Sequence, residues 1–306
     1  MPSPATTLKM IYAVLAKNGI ILGPTGRLFY VDSGGSNSHD SAQSGSLQAP
    51  FATLDYAIGR CTANNGDVIV LAEGHTETVS AAGTVTVDVA GITIIGLGYG
   101  SARPTFNFTA TASTFIISAA NTTVINCLFT GGIDAVVSPI VISAADCTLV
   151  KCELRDVTGQ MTNGILTTAG ADRLLVDQFV FRGAAAAGNG AAIALVGGDH
   201  IEIKNFQIDG NFSVAAIDVR TTATTNLQIH DGYIWTKNAA DLCISDTITA
   251  STGRIGPNLH LMLTDNAANI TEACTGATFQ YYQPINVCNL AGEVGMQINI
   301  TASTDA

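Results

Sequence analysis

Short runs of alternating apolar and other residues recur along the middle of the chain at a nearly constant distance. Five of them carry an apolar residue at the first and third positions, and they begin at Cys127, Cys152, Phe179, Phe206 and Tyr233, spaced by 25, 27, 27 and 27 residues. Alternation with period two is typical of a strand with one buried face. A strand that returns at this interval indicates an internal repeat, in which each repeat forms one turn of a solenoid.

Two further sets of short runs keep the same period. The second set begins at Ile116, Val141, Leu166, Ala194, Asp218 and Cys243, and the third is marked by Val124, Leu149, Leu174, Ile201 and Leu227. Three strands per repeat predict an all-β fold, a single-stranded right-handed parallel β-helix of about seven coils with roughly 26 residues each. Stacked coils would bury the apolar residues in one continuous interior, and Gly, Asn and Asp would turn the corners.

The repeat divides the chain into four segments. We predict an N-terminal arm (1–28), an opening strand, loop and capping helix (29–65), the parallel β-helix (66–254) and a separate C-terminal β element for oligomerisation (255–306). The capping helix is expected over residues 50–63, where apolar residues follow helical spacing. Such a cap would cover the unpaired strand edges of the first coil.

Two segments outside the predicted coils hold apolar residues that have no place in a coil. In the arm these are Leu8, Met10, Ile11, Val14, Leu15, Ile20, Ile21 and Leu22, and in the C-terminal element they are Leu261, Leu263, Met296, Ile298 and Ile300. Such residues usually mark a contact surface. We therefore expect the arm to bind a neighbouring subunit or a partner, and the C-terminal strands to pack across a threefold axis. The alternative for the arm is that it folds back over the capping helix.

Composition narrows the classes of function. Charged residues make up 12% of the chain, aromatic residues 6%, and the net charge is −11. A surface this acidic disfavours binding to nucleic acid and to anionic membranes. The apolar run from Met10 to Ala16 is too short for a signal peptide or a membrane span. We therefore expect synthesis in the host cytoplasm without a signal peptide.

The seven cysteines are odd in number, and none forms a Cys-x-x-Cys pair. This pattern favours reduced, buried thiols over disulfides or a metal site. Cys127 and Cys152 occupy the same position in successive repeats and are expected to stack inside. We predict no metal and no cofactor. The single tryptophan, Trp235, falls on an inward position and is predicted to lie in the core.

One group of residues is a candidate for catalysis. Asp172, Arg173, Asp199, His200 and Glu202 precede or open the same strand of successive coils, so they are expected to lie near one another. A glycosidase needs two carboxylates that face one groove, and a lyase needs acids for a cation together with a base. The simpler interpretation is that these residues are corner residues that solvate turns.

A second group of ionisable residues lies close to the first coil. Glu73, His75 and Glu77 alternate and would share one face of a strand, which suits a metal ion. A solvated face of the terminal coil is the simpler interpretation of this group.

The segment before the repeats resembles the first part of pectate-lyase-like β-helix proteins. In those proteins a Tyr-Val-Asp strand, a loop of Gly, Ser, Asn and Asp, and a Pro-Phe-x-Thr-Leu helix cap the first coil. This chain has Phe29-Tyr30-Val31-Asp32 followed by Ser33-Gly34-Gly35-Ser36-Asn37, and then Pro50-Phe51-Ala52-Thr53-Leu54. With the coils, the resemblance covers residues 29–254.

Polysaccharide lyases, glycosidases, phage tailspikes, adhesins and head-decorating proteins share this architecture, and a shared fold does not fix the function. The short chain and alanine-rich coils are most similar to the β-helix proteins of tailed bacteriophages. The resemblance implies a non-enzymatic virion structural protein on the capsid surface, a homotrimeric decoration or cement protein whose partner is the major capsid protein. The alternatives are a tailspike-like lyase or hydrolase of surface polysaccharide, or an adhesin that binds a surface glycan.

Overall fold

The structure, a computed structural model, describes residues 4–20, 25–157, 161–184, 189–237, 242–263, 274, 279–282, 284–289 and 296–297. These residues form three long sheets, one for each face of a right-handed parallel β-helix. The predicted fold is therefore confirmed. Among the described helices, none is both long enough and apolar enough to cross a membrane.

The strands are numbered in chain order, and each full coil passes from sheet A to sheet B to sheet C. Sheet A contains β1 (Leu28–Val31), β2 (Val68–Leu71), β5 (Thr93–Gly96), β8 (Thr123–Ile125), β11 (Thr148–Val150), β14 (Leu175–Asp177), β17 (Glu202–Lys204), β20 (Leu227–His230), β23 (Gly253–Ile255) and β25 (Phe279–Tyr281). Sheet B contains β3 (Thr76–Val79), β6 (Thr105–Phe108), β9 (Leu128–Gly131), β12 (Glu153–Asp156), β15 (Val180–Arg182), β18 (Gln207–Gly210), β21 (Gly232–Thr236), β24 (Leu259–Leu263), β26 (Ile285–Asn289) and β27 (Met296–Gln297). Sheet C contains β4 (Val85–Val87), β7 (Phe115–Ile117), β10 (Ile140–Ile142), β13 (Asn163–Thr167), β16 (Ala191–Leu195), β19 (Ala215–Val219) and β22 (Leu242–Asp246). The helices within the described ranges are α1 (Pro4–Lys17) and α2 (Leu54–Ile58), together with a 3-10 turn at Gly100–Ala102.

The interior is a stack of apolar side chains from successive coils. In sheet B, Phe181 pairs with Ile208 across β15 and β18, and both side chains are buried. Phe179 and Phe206 are buried one step earlier on the same two coils. The predicted burial of apolar residues from stacked coils in one interior is therefore confirmed at these four positions. Burial of this kind is what compensates the conformational entropy that each short strand loses on folding.

Cys127 and Cys152 are both buried free thiols on adjacent coils, as predicted. A hydrogen bond between the two side chains and burial together raise the pKa of Cys127.

The register of β21 differs from the prediction. Ile208 pairs with Ile234, so Tyr233 and Trp235 point outward, and Lys237 lies 5.2 Å from the centre of the Trp235 ring. The prediction that Trp235 lies in the core is therefore wrong. The reason is Gly232, where an added Cβ would lie only 2.2 Å from the Phe206 ring. A slip of one residue exchanges the two faces of a strand.

The predicted end of the coils at residue 254 is also wrong. β24 pairs in parallel with β21, and β26 pairs in parallel with β24. Leu261 and Leu263 are buried in the same core as the coils, so they do not form a separate element. The repeat was hard to recognise because only sheets A and B gain strands after β22 within the described residues. Met296 lies on β27, antiparallel to β26, whereas Ile298 and Ile300 fall outside the described residues.

The first coil is capped by α2, which is shorter than the predicted helix over 50–63. Its N-cap residue Thr53 accepts a hydrogen bond from the backbone N–H of Tyr56, and Leu54, Ala57 and Ile58 are buried. The helix ends at Ile58 with Gly59 as its C-cap.

The cap is fixed by a buried pair, His75 and Glu77. A Glu77 oxygen accepts the N–H of Leu54 at 2.5 Å and lies 2.7 Å from His75 Nε2. The backbone N–H of Ser33 donates to His75 Nδ1 at 3.0 Å, so the ring proton sits on Nε2 and is donated to Glu77. The solvated face and the metal site are both wrong for this pair, which instead binds the N-terminus of α2.

Helix α1 packs against the outer face of sheet A. Ile11 and Leu15 are only 2% exposed, and they contact Val68, Val70 and Ile95 together with Ile125. The arm is therefore not free: it folds onto its own chain, although on sheet A and not on the capping helix. Leu8, Val14 and Ile20 are partly buried, Met10 is exposed, and Ile21 and Leu22 lie outside the described residues.

We expect Ile11→Ala and Leu15→Ala each to lower the free energy of unfolding by about 2 kcal/mol, because each removes a buried side chain from this contact. Chemical denaturation followed by circular dichroism measures the change. Tyr12→Ala is the matched control, because Tyr12 is 48% exposed on the same helix. Equal stability of the wild-type protein and the Leu15→Ala variant would mean that α1 does not hold this position.

Candidate functional site

The outer face of sheet A changes character along the rod. Under α1 it is apolar, but from Asp177 onward the outward positions carry polar side chains that stack coil upon coil. We call this part of the sheet the polar face, and it consists of Asp177, Glu202, Lys204, Gln228, His230, Arg254 and Gln280. The candidate residues predicted from the sequence lie on it or at its edge.

Arg173 and His200 are corner residues between sheet C and sheet A. Their φ angles are 54° and 57°, and Asp146 and Asn226 have φ angles of 59° and 53° at the same corner of the neighbouring coils. The N–H of Arg173 donates to the carbonyl of Asp199, and the N–H of His200 donates to the carbonyl of Thr225. Each corner is therefore tied to the next coil, and the interpretation of these residues as corner residues matches their geometry.

The acids at this corner are bound to their neighbours. Asp199 accepts hydrogen bonds from Thr225 at 2.6 Å and Asn226 at 2.8 Å, and it lies 2.6 Å from His200 Nδ1. These hydrogen bonds, with that from Thr225 the strongest, hold the pKa of Asp199 well below its usual range. Asp172 accepts the backbone N–H of Asp199 at 2.8 Å.

Arg173 donates two hydrogen bonds to Asp146, at 2.6 and 2.8 Å. A bidentate pair of this kind fixes the orientation of both planar groups. It also directs Arg173 toward the preceding coil and away from Glu202.

Glu202 belongs to a different network, on the strands and not at the corner. One oxygen of Glu202 lies 3.0 Å from both Lys204 Nζ and His230 Nε2. His230 Nδ1 lies 2.5 Å from Asp231, which also accepts a hydrogen bond from Asn258 at 2.7 Å. The hydrogen bonds from His230 and Asn258 lower the pKa of Asp231.

Lys204 and His230 were missing from the predicted group. Lys204 pairs with His230 in the register of β17 and β20, and Glu202 shares the outward face with Lys204. The Glu-x-Lys spacing on one strand, followed one coil later by a histidine, is the pattern that could have revealed this network. The structure thus separates the predicted group into two sets. The corner set contains Asp172, Arg173, Asp199 and His200, and in the strand set Glu202 is joined by Lys204 and His230.

A groove of about 540 Å³ lies beside the strand set, and His200, Asn226, Gln228, Arg254 and Gln280 line it. Arg254 donates to Gln228 at 3.3 Å and stacks over the half-exposed ring of Tyr282 at 5.7 Å. Amide and imidazole groups can donate to and accept from the hydroxyl groups of a polar ligand, and a guanidinium group can donate to them. This groove, which we call the polar groove, is suited to binding such a ligand.

The chemistry open to the strand set is limited by its ion pairs. Glu202 is paired with both Lys204 and His230, so one of its oxygens is already engaged by two partners. His230 lies between two carboxylates, those of Glu202 and Asp231. No cluster of three or more His, Cys, Asp or Glu side chains able to hold a metal ion occurs in the described part of the chain.

Neither a protein-family model nor a curated protein matches this chain. A solved structure described as a rhamnogalacturonan lyase is similar to it, with 15% sequence identity and a TM-score of 0.46. The similar part covers 89% of this chain but 65% of that protein, so this chain spans just under two thirds of its length. A similarity this distant says nothing about what the present chain binds or does.

Proposed function

We propose that this chain is a non-enzymatic structural protein of a virion, a homotrimeric β-helix rod that decorates the capsid of a tailed phage. The observation that supports this proposal is a set of exposed apolar side chains in the connections between two faces of the rod. Val137, Val157 and Val214 are 53%, 66% and 40% exposed, and all three lie in connections from sheet B to sheet C. We call these three residues the valine ridge.

The valine ridge is also nearly free of charge. In the described residues of the connections from sheet B to sheet C, the charged side chains are Asp134 and Lys237. A chain with a net charge of −11 repels its own copies over most of its surface. Copies can therefore approach one another most easily where exposed apolar groups replace the charges. The ridge replaces the C-terminal strands as the proposed trimer contact.

The trimer can be tested by light scattering coupled to size-exclusion chromatography. We expect the wild-type protein to elute at three times its chain mass of 31.5 kDa. Val157→Asp combined with Val214→Asp should give monomers, because it places like charges across the contact. Gln207→Asp, an exposed change on sheet B, is the control and should leave the trimer intact. A monomeric wild-type protein, or a double variant that remains trimeric, would contradict the proposed interface.

Attachment to the capsid is proposed to use the exposed side of α1. Met10 is 59% exposed, although the opposite side of the helix is buried against sheet A. Met10→Asp together with Tyr12→Asp should abolish binding to purified particles that lack the protein, with an unchanged melting temperature. Deletion of the whole arm would be a poorer test, because it would uncover sheet A. Particles that still bind the double variant would rule out this attachment surface.

The second candidate function is glycan recognition, and the polar groove is the observation that favours it. A panel of host surface polysaccharides separates the possibilities. Cleavage that is lost in both Asp199→Ala and Glu202→Ala would indicate the lyase or hydrolase. Binding without cleavage, lost in Arg254→Ala, would indicate an adhesin.

A further inference from the structure

A groove of about 610 Å³ lies between the last turn of α1 and the loop that follows β5. Its walls include Lys17, Tyr99, Arg103, Lys151 and Glu153. We propose that this groove, which we call the shoulder groove, binds an anionic sugar whose ring rests on Tyr99 and whose charged group is held by Lys17 and Lys151. This site shares no lining residue with the polar groove or the valine ridge, and it does not depend on the proposed function.

Charge is the first reason. Three cations and one acid line the groove, a local balance of +2, whereas the whole chain carries −11. The acid is Glu153, which is already paired with Arg103, with Arg155 at 2.6 Å and with Arg182 at 3.3 Å. Its charge is therefore compensated by guanidinium groups and does not neutralise the two lysines. An anion repelled by most of the protein would be attracted here.

The two lysines retain donors for a ligand. Lys151 Nζ donates to the neutral Asn18 side chain at 3.0 Å, which orients the ammonium group without cancelling its charge. Two of its three N–H donors remain for a ligand. Lys17 is exposed in the last turn of α1, and neither lysine forms an ion pair with any residue that the structure describes.

Hydrogen bonds within the protein hold the wall of the groove in place. Asn126 donates from its side chain to the carbonyl groups of Gly96 at 2.9 Å and Gly98 at 3.1 Å. Arg103 Nε donates to the carbonyl of Gly100 at 2.9 Å. Gly98 has a φ of +88°, and an added Cβ would lie 2.5 Å from the carbonyl oxygen of Ala102. A wall fixed in this way loses little entropy when a ligand binds.

Tyr99 indicates which shape of ligand the groove favours. Its side chain is 92% exposed at the rim of the groove, which is unusual for an aromatic residue in a chain with so few of them. An exposed ring next to cations offers an apolar face to a flat ligand whose edge is charged. The groove volume lies within the range of about 300–1,000 Å³ that is common for small-ligand sites. A sugar acid or a sugar phosphate has the size, the ring face and the charge.

Isothermal titration calorimetry of the full chain tests the proposal with three probes: a tetrasaccharide of glucuronic acid, a phosphorylated tetramannoside and neutral cellotetraose. We expect binding of at least one anionic probe, weakening as salt is added, and no binding of the neutral one. The anionic probe that binds identifies carboxylate or phosphate as the recognised group. Lys17→Ala, Lys151→Ala and Tyr99→Ala should each weaken binding about tenfold, the effect of losing one charged or stacking contact.

Two matched variants serve as controls. Lys9→Ala removes an exposed lysine of α1 outside the groove, and Tyr12→Ala removes an exposed ring outside it. Neither should change the affinity. The proposal is overturned if neither anionic probe binds at millimolar concentration, if cellotetraose binds equally well, or if the lysine variants bind like the wild type. Binding of an oligothymidylate in place of both anionic sugars, with the same dependence on the lysines, would overturn the sugar as the ligand.

Discussion

Phe129→Ala should lower the free energy of unfolding by about 3–5 kcal/mol, one of the largest effects that a single change can have in this chain. The ring of Phe129 is buried, with centroid distances of 5.5 Å to Phe106, 6.4 Å to Phe108 and 5.3 Å to Phe115. Removing it would leave a cavity among three other rings. The cavity cannot collapse easily, because the strand that carries Phe129 is hydrogen-bonded to the coils on both sides.

Guanidinium-induced unfolding followed by far-ultraviolet circular dichroism measures this loss. Tyr99→Ala is the control, because the same type of ring is removed from a site that is 92% exposed. Its effect is expected to stay within about 0.5 kcal/mol. A loss below about 1 kcal/mol for Phe129→Ala would show that the four rings do not pack together as the register of β6 and β9 requires.

Asp67→Ala should lower the free energy of unfolding by about 3 kcal/mol, because it leaves several buried hydrogen-bond donors without their acceptor. The carboxylate of Asp67 is fully buried and accepts the backbone N–H groups of Arg27 at 2.7 Å and Thr62 at 2.8 Å. It also accepts the side chains of Arg27 at 3.0 Å and Asn65 at 2.7 Å. These hydrogen bonds join Arg27, which precedes β1, and the residues that follow α2 to the start of β2.

The same contact predicts a dependence on pH. Burial acts to raise the pKa of Asp67, but the hydrogen bonds from the backbone of Arg27 and Thr62 and from the side chains of Arg27 and Asn65 outweigh it, so that the pKa is lowered. A lowered pKa in the folded state stabilises the protein above the unfolded value of about 3.9, and this stability is lost as the pH falls through the folded pKa.

We therefore expect the difference in unfolding free energy between the wild-type protein and the Asp67→Asn variant to be largest near neutral pH. It should shrink as the pH is lowered below about 4. Asp134→Asn, a change at an exposed loop residue, is the control for general effects of acid. A difference between wild type and Asp67→Asn that stays constant from pH 7 to pH 2 would contradict the role assigned to the buried carboxylate.

The fold could be predicted because its cause is local and repeated. Alternation with period two and a return after about 26 residues fix both the inward face and the stacking, and Phe181 above Ile208 follows directly. The slip at Gly232 could not be predicted, because it depends on the Phe206 ring of the preceding coil. The continuation of the coils through Leu261 was missed because, among the described residues, sheet C contributes no further strand there and only Cys274 bridges Ile244.

The position of α1 was harder to predict. It depends on which outward residues of sheet A are apolar. Val68-Ile69-Val70-Leu71 is continuously apolar, a pattern typical of a strand covered on both faces, and it was the available sign that something packs outside β2.

In the candidate site, too, the type of residue could be predicted from the sequence, but the contacts between coils could not. The corner residues Arg173 and His200 were recognised by type, since polar residues at regular intervals between strands predict corners. The partner of Glu202 was not recognised, because the length of each coil decides which side chains meet, and this length varies: paired residues are 27 positions apart between β14 and β17 but 26 between β17 and β20. His230 lies 28 residues after Glu202, so it meets Glu202 only after the outward face and the register are both known.

The way in which α1 crosses sheet A has a mechanical consequence. Parallel coils are joined by hydrogen bonds directed along the rod, so a pull on its two ends loads the coils in series and separates them one at a time. The side chains that pack against α1 come from β1, β2, β5, β8 and β11. The helix therefore holds the N-terminal coils together by contacts that run across them. Under tension the rod should therefore unfold from its C-terminal end, and the coils in contact with α1 should be the last to unfold.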